Sequence, residues 1–114
     1  MSIKFTSHTK EVLESVQAAK DQALEIIGGK AESYAKKLSP VDTGNLRNSI
    51  THQQRDKDTE VIGTNVEYAP YVELGHHTPS GSYVPPKPYL RPAAENHAEE
   101  YRQIVVSVLS SIGK

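Results

Sequence analysis

Apolar residues recur at helical spacing through the first third of the chain. Val12, Val16, Ala19, Ala23, Ile26 and Ile27 fall on one stripe at 3.6 residues per turn, flanked by Leu13 and Leu24. Glu32 and Lys36 are set for an i,i+4 pair on the outer face. The pattern predicts a helix from Ser7 or Thr9 to near Leu38, where Pro40 lacks an N–H and turns Ser39 away from helical backbone. Residues 1–8 are expected as a flexible arm, with an added strand over 1–6 as the alternative. Gly28-Gly29 divides the stripe, because Ala31, Tyr34, Ala35 and Leu38 sit on a face turned by roughly 60° from the first. A Gly pair costs about 1.5–2 kcal/mol relative to Ala in a helix, so a kink or a change of packing partner is expected there. An unbroken helix over 7–38 would be roughly 48 Å long, longer than a compact domain of this size, so either one half projects toward another subunit or the helix kinks and packs wholly on its own core.

The period then changes. Ser39 to Ile50, read as S-P-V-D-T-G-N-L-R-N-S-I, holds a helix stop, a turn and a new start. Asp42 and Thr43 are good N-caps, Gly44 permits a tight path, Leu46 is the first large apolar anchor, and Arg47 is expected to partner a carboxylate. Residues 50–55 and 59–66 read as two strands of a hairpin around Asp56-Lys57-Asp58. Ile62, Thr64 and Val66 share one face of the second strand, while His52, Gln53 and Gln54 mark the first as an edge strand. In E-Y-A-P-Y-V-E-L-G, Pro70 forbids a central strand and Gly75 stops a short helical turn over 70–74, clustering Tyr68, Tyr71, Val72 and Leu74. Residues 76–86 read as an exposed loop, and Pro85-Pro86-Lys87-Pro88 as an extended segment delivering Tyr89 and Leu90 to the body. Pro92 suits the first turn of a last helix whose stripe is Ala94, Ala98, Tyr101, Val105, Val108, Leu109 and Ile112, ended by Gly113. The elements make an α+β fold: a long kinked N-terminal helix, a small antiparallel sheet with a hairpin, a long loop and a C-terminal amphipathic helix.

Composition thins the core without changing this order. The 114 residues fit one domain spanning 1–114, with a radius of gyration of about 13 Å if compact. Apolar residues are 36% and mean hydropathy is −0.56, so part of the fold is expected to depend on neighbouring subunits. Thirteen basic and 14 acidic residues give a net charge of −1, and no basic run of five appears, so no field draws in nucleic acid. The lack of cysteine removes disulfides and thiolate metal sites. Met1 leads into a polar start without the features of a cleaved leader, and no apolar run approaches a membrane span.

Candidate chemistry is sparse. The histidines at 8, 52, 76, 77 and 97 lack a thiolate or a closely spaced carboxylate, so no metal or cofactor is expected. There is no G-x-S-x-G elbow and no phosphate-cradling glycine pattern. Asp42, Glu67 and Glu73 sit near turns, where carboxylates act as caps or as partners of Arg47 and Arg91 rather than as acid and base. No catalytic residue and no small-molecule substrate are assigned. The enzyme class survives only as a hydrolase using Asp42 or Glu73 in a deep pocket. A small nucleic-acid-binding module would require the basic patch that is missing.

Three blocks in order carry a resemblance: P-V-D-T-G-N-L-R-N-S-I, G-T-N-V-E-Y-A-P-Y-V-E-L-G and P-P-K-P-Y-L-R-P-A. Together the chain resembles a family of small tail-component proteins of long-tailed bacteriophages and prophages, the gene-10-product type of lambdoid phages. The matching positions are Pro40, Asp42, Thr43, Gly44, Leu46, Arg47, Ser49, Gly63, Tyr68, Ala69, Tyr71, Glu73, Gly75, Pro88, Leu90, Arg91, Pro92 and Ala93. The resemblance implies a non-enzymatic virion structural protein, made in the host cytoplasm. It would join head to tail or complete the tail as a ring subunit around the DNA channel. Its partners would be further copies of itself and adjacent neck or tail proteins, with DNA passing through without sequence recognition and no membrane involved. A tail terminator is the alternative within that class. His76-His77 departs from the family's usual small polar residue after the glycine, so that loop's contacts do not carry over. The subunit contacts are expected at Val12, Val16, His76, His77 and Tyr83.

Overall fold

The computed structural model describes residues 5–40 and 45–112. Helix α1 spans Phe5–Leu38 and runs through Gly28-Gly29 without a break. At 1.5 Å per residue its 34 residues extend about 50 Å, and the molecule is correspondingly elongated, with a radius of gyration of 19.6 Å and extents of 81 × 20 × 19 Å. The compact globule expected from chain length is therefore not formed. The helix ends where Pro40 dictates: Ser39 is buried, donates its N–H to the Ala35 carbonyl at 2.9 Å, and turns its hydroxyl back onto Lys36.

The remaining elements lie along α1. Helix α2 covers Asn45–Ser49, and strands β1 (Thr51–Asp56) and β2 (Thr59–Gly63) form the expected antiparallel hairpin. Its register pairs His52 with Ile62 and Gln54 with Glu60, with an irregularity between Gln54 and Asp56. At the turn the Asp56 carboxylate accepts the Asp58 N–H, which holds its pKa below the ordinary value. Strand β2 stops at Gly63, so Thr64 to Val66 leave the sheet. Thr64 instead uses its hydroxyl on the Ser49 hydroxyl and the Val66 N–H.

Helix α3, Ala69–Leu74, carries Pro70 in its first turn and stops at Gly75 as expected. Gly75 has φ +77°, and a Cβ there would lie 2.8 Å from the Val84 carbonyl oxygen, so both conformation and space require glycine. The segment expected as a loop is a small second hairpin of β3 (His76–His77) and β4 (Tyr83–Val84). Thr78 closes it, its N–H on the Ser82 carbonyl and its hydroxyl accepting the Ser82 N–H, with Gly81 at φ +89°. The Lys87 N–H then ties the proline stretch to the Val72 carbonyl at 2.8 Å.

The last helix is two helices, α4 (Leu90–Glu95) and α5 (Ala98–Ser110), parted at Asn96-His97. Pro92 lies in the first turn of α4, where its missing N–H costs nothing. Contacts step back along α1: His97 stacks on Tyr34 with ring centroids 3.6 Å apart, and Glu100 meets both Lys30 and Tyr34. Within the expected stripe, Ala94 and Ala98 are exposed, since the break rotates them out of register. Tyr101, Val105, Val108, Leu109 and Ile112 are half-buried, together with Ile104. No residue of α5 is fully buried.

The core is compact and sits at one end. Ala35 of α1, Leu46, Ile50, Ala69, Tyr89 and Ala93 form it, with Tyr34, Ile62, Val66, Val72 and Leu90 packed around them. Tyr89 is 0% exposed and is among the largest fully buried side chains described. Small residues on α1 and α4 let the helices approach closely around that ring.

Candidate assembly surfaces

The recognisable sequence blocks meet in this core. Leu46 and Ile50 come from the first, Ala69 from the second, Tyr89 and Ala93 from the third. The second and third are also joined by Glu73, whose carboxylate accepts the main-chain N–H groups of Tyr89 (2.7 Å), Leu90 (3.2 Å) and Arg91 (2.9 Å). These are the free amides at the start of α4, the place where a negative charge is best received. Glu73 is thus a helix cap supplied from another element. Arg91 pairs instead with Glu95 one turn on, at 3.1 Å. Arg47 does not find the expected carboxylate among the described residues: its guanidinium donates to the Ser39 carbonyl at 3.3 Å, tying α2 to the end of α1. Asp42, Thr43 and Gly44, expected as cap and turn, lie outside the described residues.

Around this core the surface is apolar. Tyr68, Tyr71, Leu74 and Tyr83 are exposed, Leu74 at 73%. Tyr68 and Tyr71 line a groove of about 400 Å³ together with Pro40, Leu46, Val72, His76 and Val84, while Leu74 lies on the neighbouring cavity beside Val66, Pro70 and Leu90. The His76 ring lies 5.5 Å from that of Tyr71, and His77 lies 5.1 Å from Tyr83, so the departing histidines pack on tyrosines of the same patch. His76 is half-buried, whereas His77 and Tyr83 are exposed. Pro88, although part of the third block, is exposed.

A second apolar surface lies at the far end of α1. The α1 stripe is covered only from Val16 onward, where Ala19 and Ala23 are buried against the rest of the molecule. Val12 and Leu13 are 56% and 63% exposed. The hairpin tip marks the limit of cover: Gln17 donates to the Lys57 carbonyl, and Lys20 pairs with Asp58. Val12 and Ala35 are separated by about 35 Å of helix.

Between the two surfaces, the hairpin rests on α1 through a polar seam that the spacing of residues did not reveal. His52 meets a carboxylate at each ring nitrogen, Nε2 at Glu25 (3.1 Å) and Nδ1 at Glu32 (3.2 Å). The Glu25 contact and the Glu32 contact both favour the imidazolium, and the pKa of His52 is raised despite its partial burial. For Glu32 burial opposes ionisation, but hydrogen bonds from Lys36 at 3.2 Å and from His52 outweigh it and lower its pKa. Glu32 therefore faces the hairpin rather than the outer surface. Glu60 enters the same seam from β2, and burial raises its pKa. Gly28 is where the seam needs room: a Cβ there would lie 2.4 Å from Glu60 Oε1 and 2.6 Å from His52 Cδ2. Gly28 thus seats the hairpin on a helix that stays continuous through the pair.

No helix among the described residues is long and apolar enough to cross a membrane. The arrangement is that of a small α+β building block with uncovered apolar surface at two ends. A family model described as "Bacteriophage HK97-gp10, putative tail-component" matches residues 3–75, and the chain belongs to this HK97-gp10-like family of phage tail components. The match takes in the first two blocks. The third lies beyond it and is bound to them by Glu73 and the shared core. No curated protein and no solved structure gives a match to the chain.

Proposed function

We propose that the chain is a structural subunit of the virion that assembles with copies of itself into a ring around the DNA channel, at the joint between head and tail. The observation that carries this reading is the pair of unlike apolar surfaces, Val12 and Leu13 at one end of α1 and the tyrosine patch with Leu74 around α3. Two different patches on one molecule suit a head-to-tail contact between neighbours. Such contacts close into rings when the rotation between subunits permits it. The half-buried stripe of α5 and the core confined to one end fit a subunit completed by its neighbours. A formal charge of −1 suits a channel wall that lets DNA slide rather than holding it by phosphate contacts.

Capping the tail tube is the competing role for the same kind of ring. Electron microscopy of particles from a phage lacking this gene distinguishes them. Free heads beside full-length tails are expected for the joining role; overlong tails on the particles would assign the ring to tail termination instead.

A further inference from the structure

We propose that His52, Glu25 and Glu60 form a binding site for one divalent transition-metal ion, of the zinc type, which clips the β1–β2 hairpin onto α1. One ligand atom from each of these three residues lies within 4.8 Å of the others, although they stand on three different elements. The His52 Nε2–Glu25 Oε1 separation is already 3.1 Å, close to the ligand–ligand edge of about 3.3 Å in a tetrahedral zinc site with bonds of about 2.0 Å. The remaining ligand pairs lie no farther apart than 4.8 Å, and Glu25, whose side chain is largely exposed, can adjust to the ion.

Two further observations point to a ligand. Both carboxylate oxygens of Glu60 are shut off from solvent and have no hydrogen-bond partner. A buried acceptor without a donor is costly and uncommon in a native protein, and a cation between Glu60 and His52 Nε2, displacing the Nε2 proton to solvent, would satisfy it. The other ring nitrogen of His52 meets Glu32 at 3.2 Å. A carboxylate on the second nitrogen is the arrangement that fixes the tautomer and aim of a metal-binding histidine. Glu32 is held in turn by Lys36, so the orienting residue is itself oriented.

The donor set also selects the ion. Imidazole with two carboxylates suits zinc and neighbouring transition metals, while magnesium and calcium favour oxygen alone. The two carboxylates balance the dication, and a fourth position remains for water. Exposed Glu25 supplies the way in, and Gly28 leaves the space beneath.

The test uses the full chain stripped with EDTA, titrated with zinc chloride by calorimetry and followed by thermal denaturation, with magnesium chloride as control. One zinc per chain is expected, with Tm raised by several degrees at free zinc about 100-fold above Kd and no response to magnesium. Glu25→Gln and Glu60→Gln are each expected to weaken zinc binding at least tenfold, and Glu32→Gln by about tenfold. Without metal, Glu60→Gln should be no less stable than the parent, because an amide is buried there more readily than a carboxylate. Exposed Glu25 gives a second variant that leaves the packing intact. Absence of zinc uptake by the parent chain overturns the proposal. So does uptake retained by either ligand variant, which would move the ion to other histidines.

Discussion

The carboxylate of Glu73 accepts the main-chain N–H of Tyr89 at 2.7 Å, and with it the next two amides of α4. A residue ending one motif thereby sets the start of the helix that carries the next, and places Tyr89 in the centre of the core. Replacing Glu73 with Ala leaves those amides without their acceptor and should lower stability by about 2 kcal/mol. Glu73→Gln should recover part of that loss. Urea denaturation with unchanged m-value would measure it; an unaltered midpoint in Glu73→Ala would remove the cap from the account.

Tyr89 itself separates packing from hydrogen bonding. Its hydroxyl reaches the Ala69 carbonyl only at 3.5 Å, while its ring is fully buried. Tyr89→Phe is expected to cost less than about 1 kcal/mol, and Tyr89→Ala about 3–5 kcal/mol from the cavity it leaves. Similar losses in both variants would mean that the hydroxyl, not the ring, matters.

The two adjacent glycines of α1 should respond oppositely to the same change. Gly29 has open space where a Cβ would stand, so Gly29→Ala should gain up to about 1 kcal/mol from helix propensity. Gly28→Ala gains the same propensity but drives a methyl group against Glu60 and His52. We expect it to be at least about 1 kcal/mol less stable than Gly29→Ala. Equal stabilities would show that the hairpin does not rest on that residue.

Acid should loosen the contact between α1 and α5. The hydrogen bond from Tyr34, followed by that from Lys30, lowers the pKa of Glu100. A carboxyl whose folded pKa is depressed adds stability above its unfolded value of about 4.3 and loses it as pH falls through the folded value. Glu100→Gln should therefore be less stable than the parent at neutral pH, with the difference shrinking as pH falls below the unfolded value of about 4.3. A difference that persists undiminished in acid would assign the effect to packing.

Much of this fold is legible in the chain because it depends on periodicity. The α1 stripe, the β1–β2 hairpin, the stop at Pro40 and the short helix ended by Gly75 all follow from local pattern and turn chemistry. What escaped is long-range and polar. His52 reads as a solvent-facing residue of an edge strand, yet its partners are 27 and 20 positions away. Gly28-Gly29 reads as a helix breaker because its cost is local, whereas the benefit is room for a hairpin folded from residues 51–63. The β3–β4 pair has two residues per strand, too few for any period to show. Its signal was Thr78 with Gly81, a turn closed by a side-chain hydroxyl and a positive φ. Of the residues expected at subunit contacts, Val12, His77 and Tyr83 are exposed and Val16 and His76 are half-buried by their own chain, while Leu13 and Leu74 are the more exposed apolar residues.

In the proposed ring, unlike surfaces at the two ends of the subunit join neighbours head to tail. Leu13→Asp should disable one surface and Leu74→Asp the other, each leaving a folded chain because both side chains are largely exposed. Sedimentation of each variant alone, and of their equimolar mixture, at concentrations where the parent chain assembles tests this directly. Closed rings are expected for the parent, monomers for each variant and a one-to-one dimer for the mixture, since one intact interface remains between them. A parent chain that stays monomeric at every concentration, or homodimers formed by either variant alone, would contradict it.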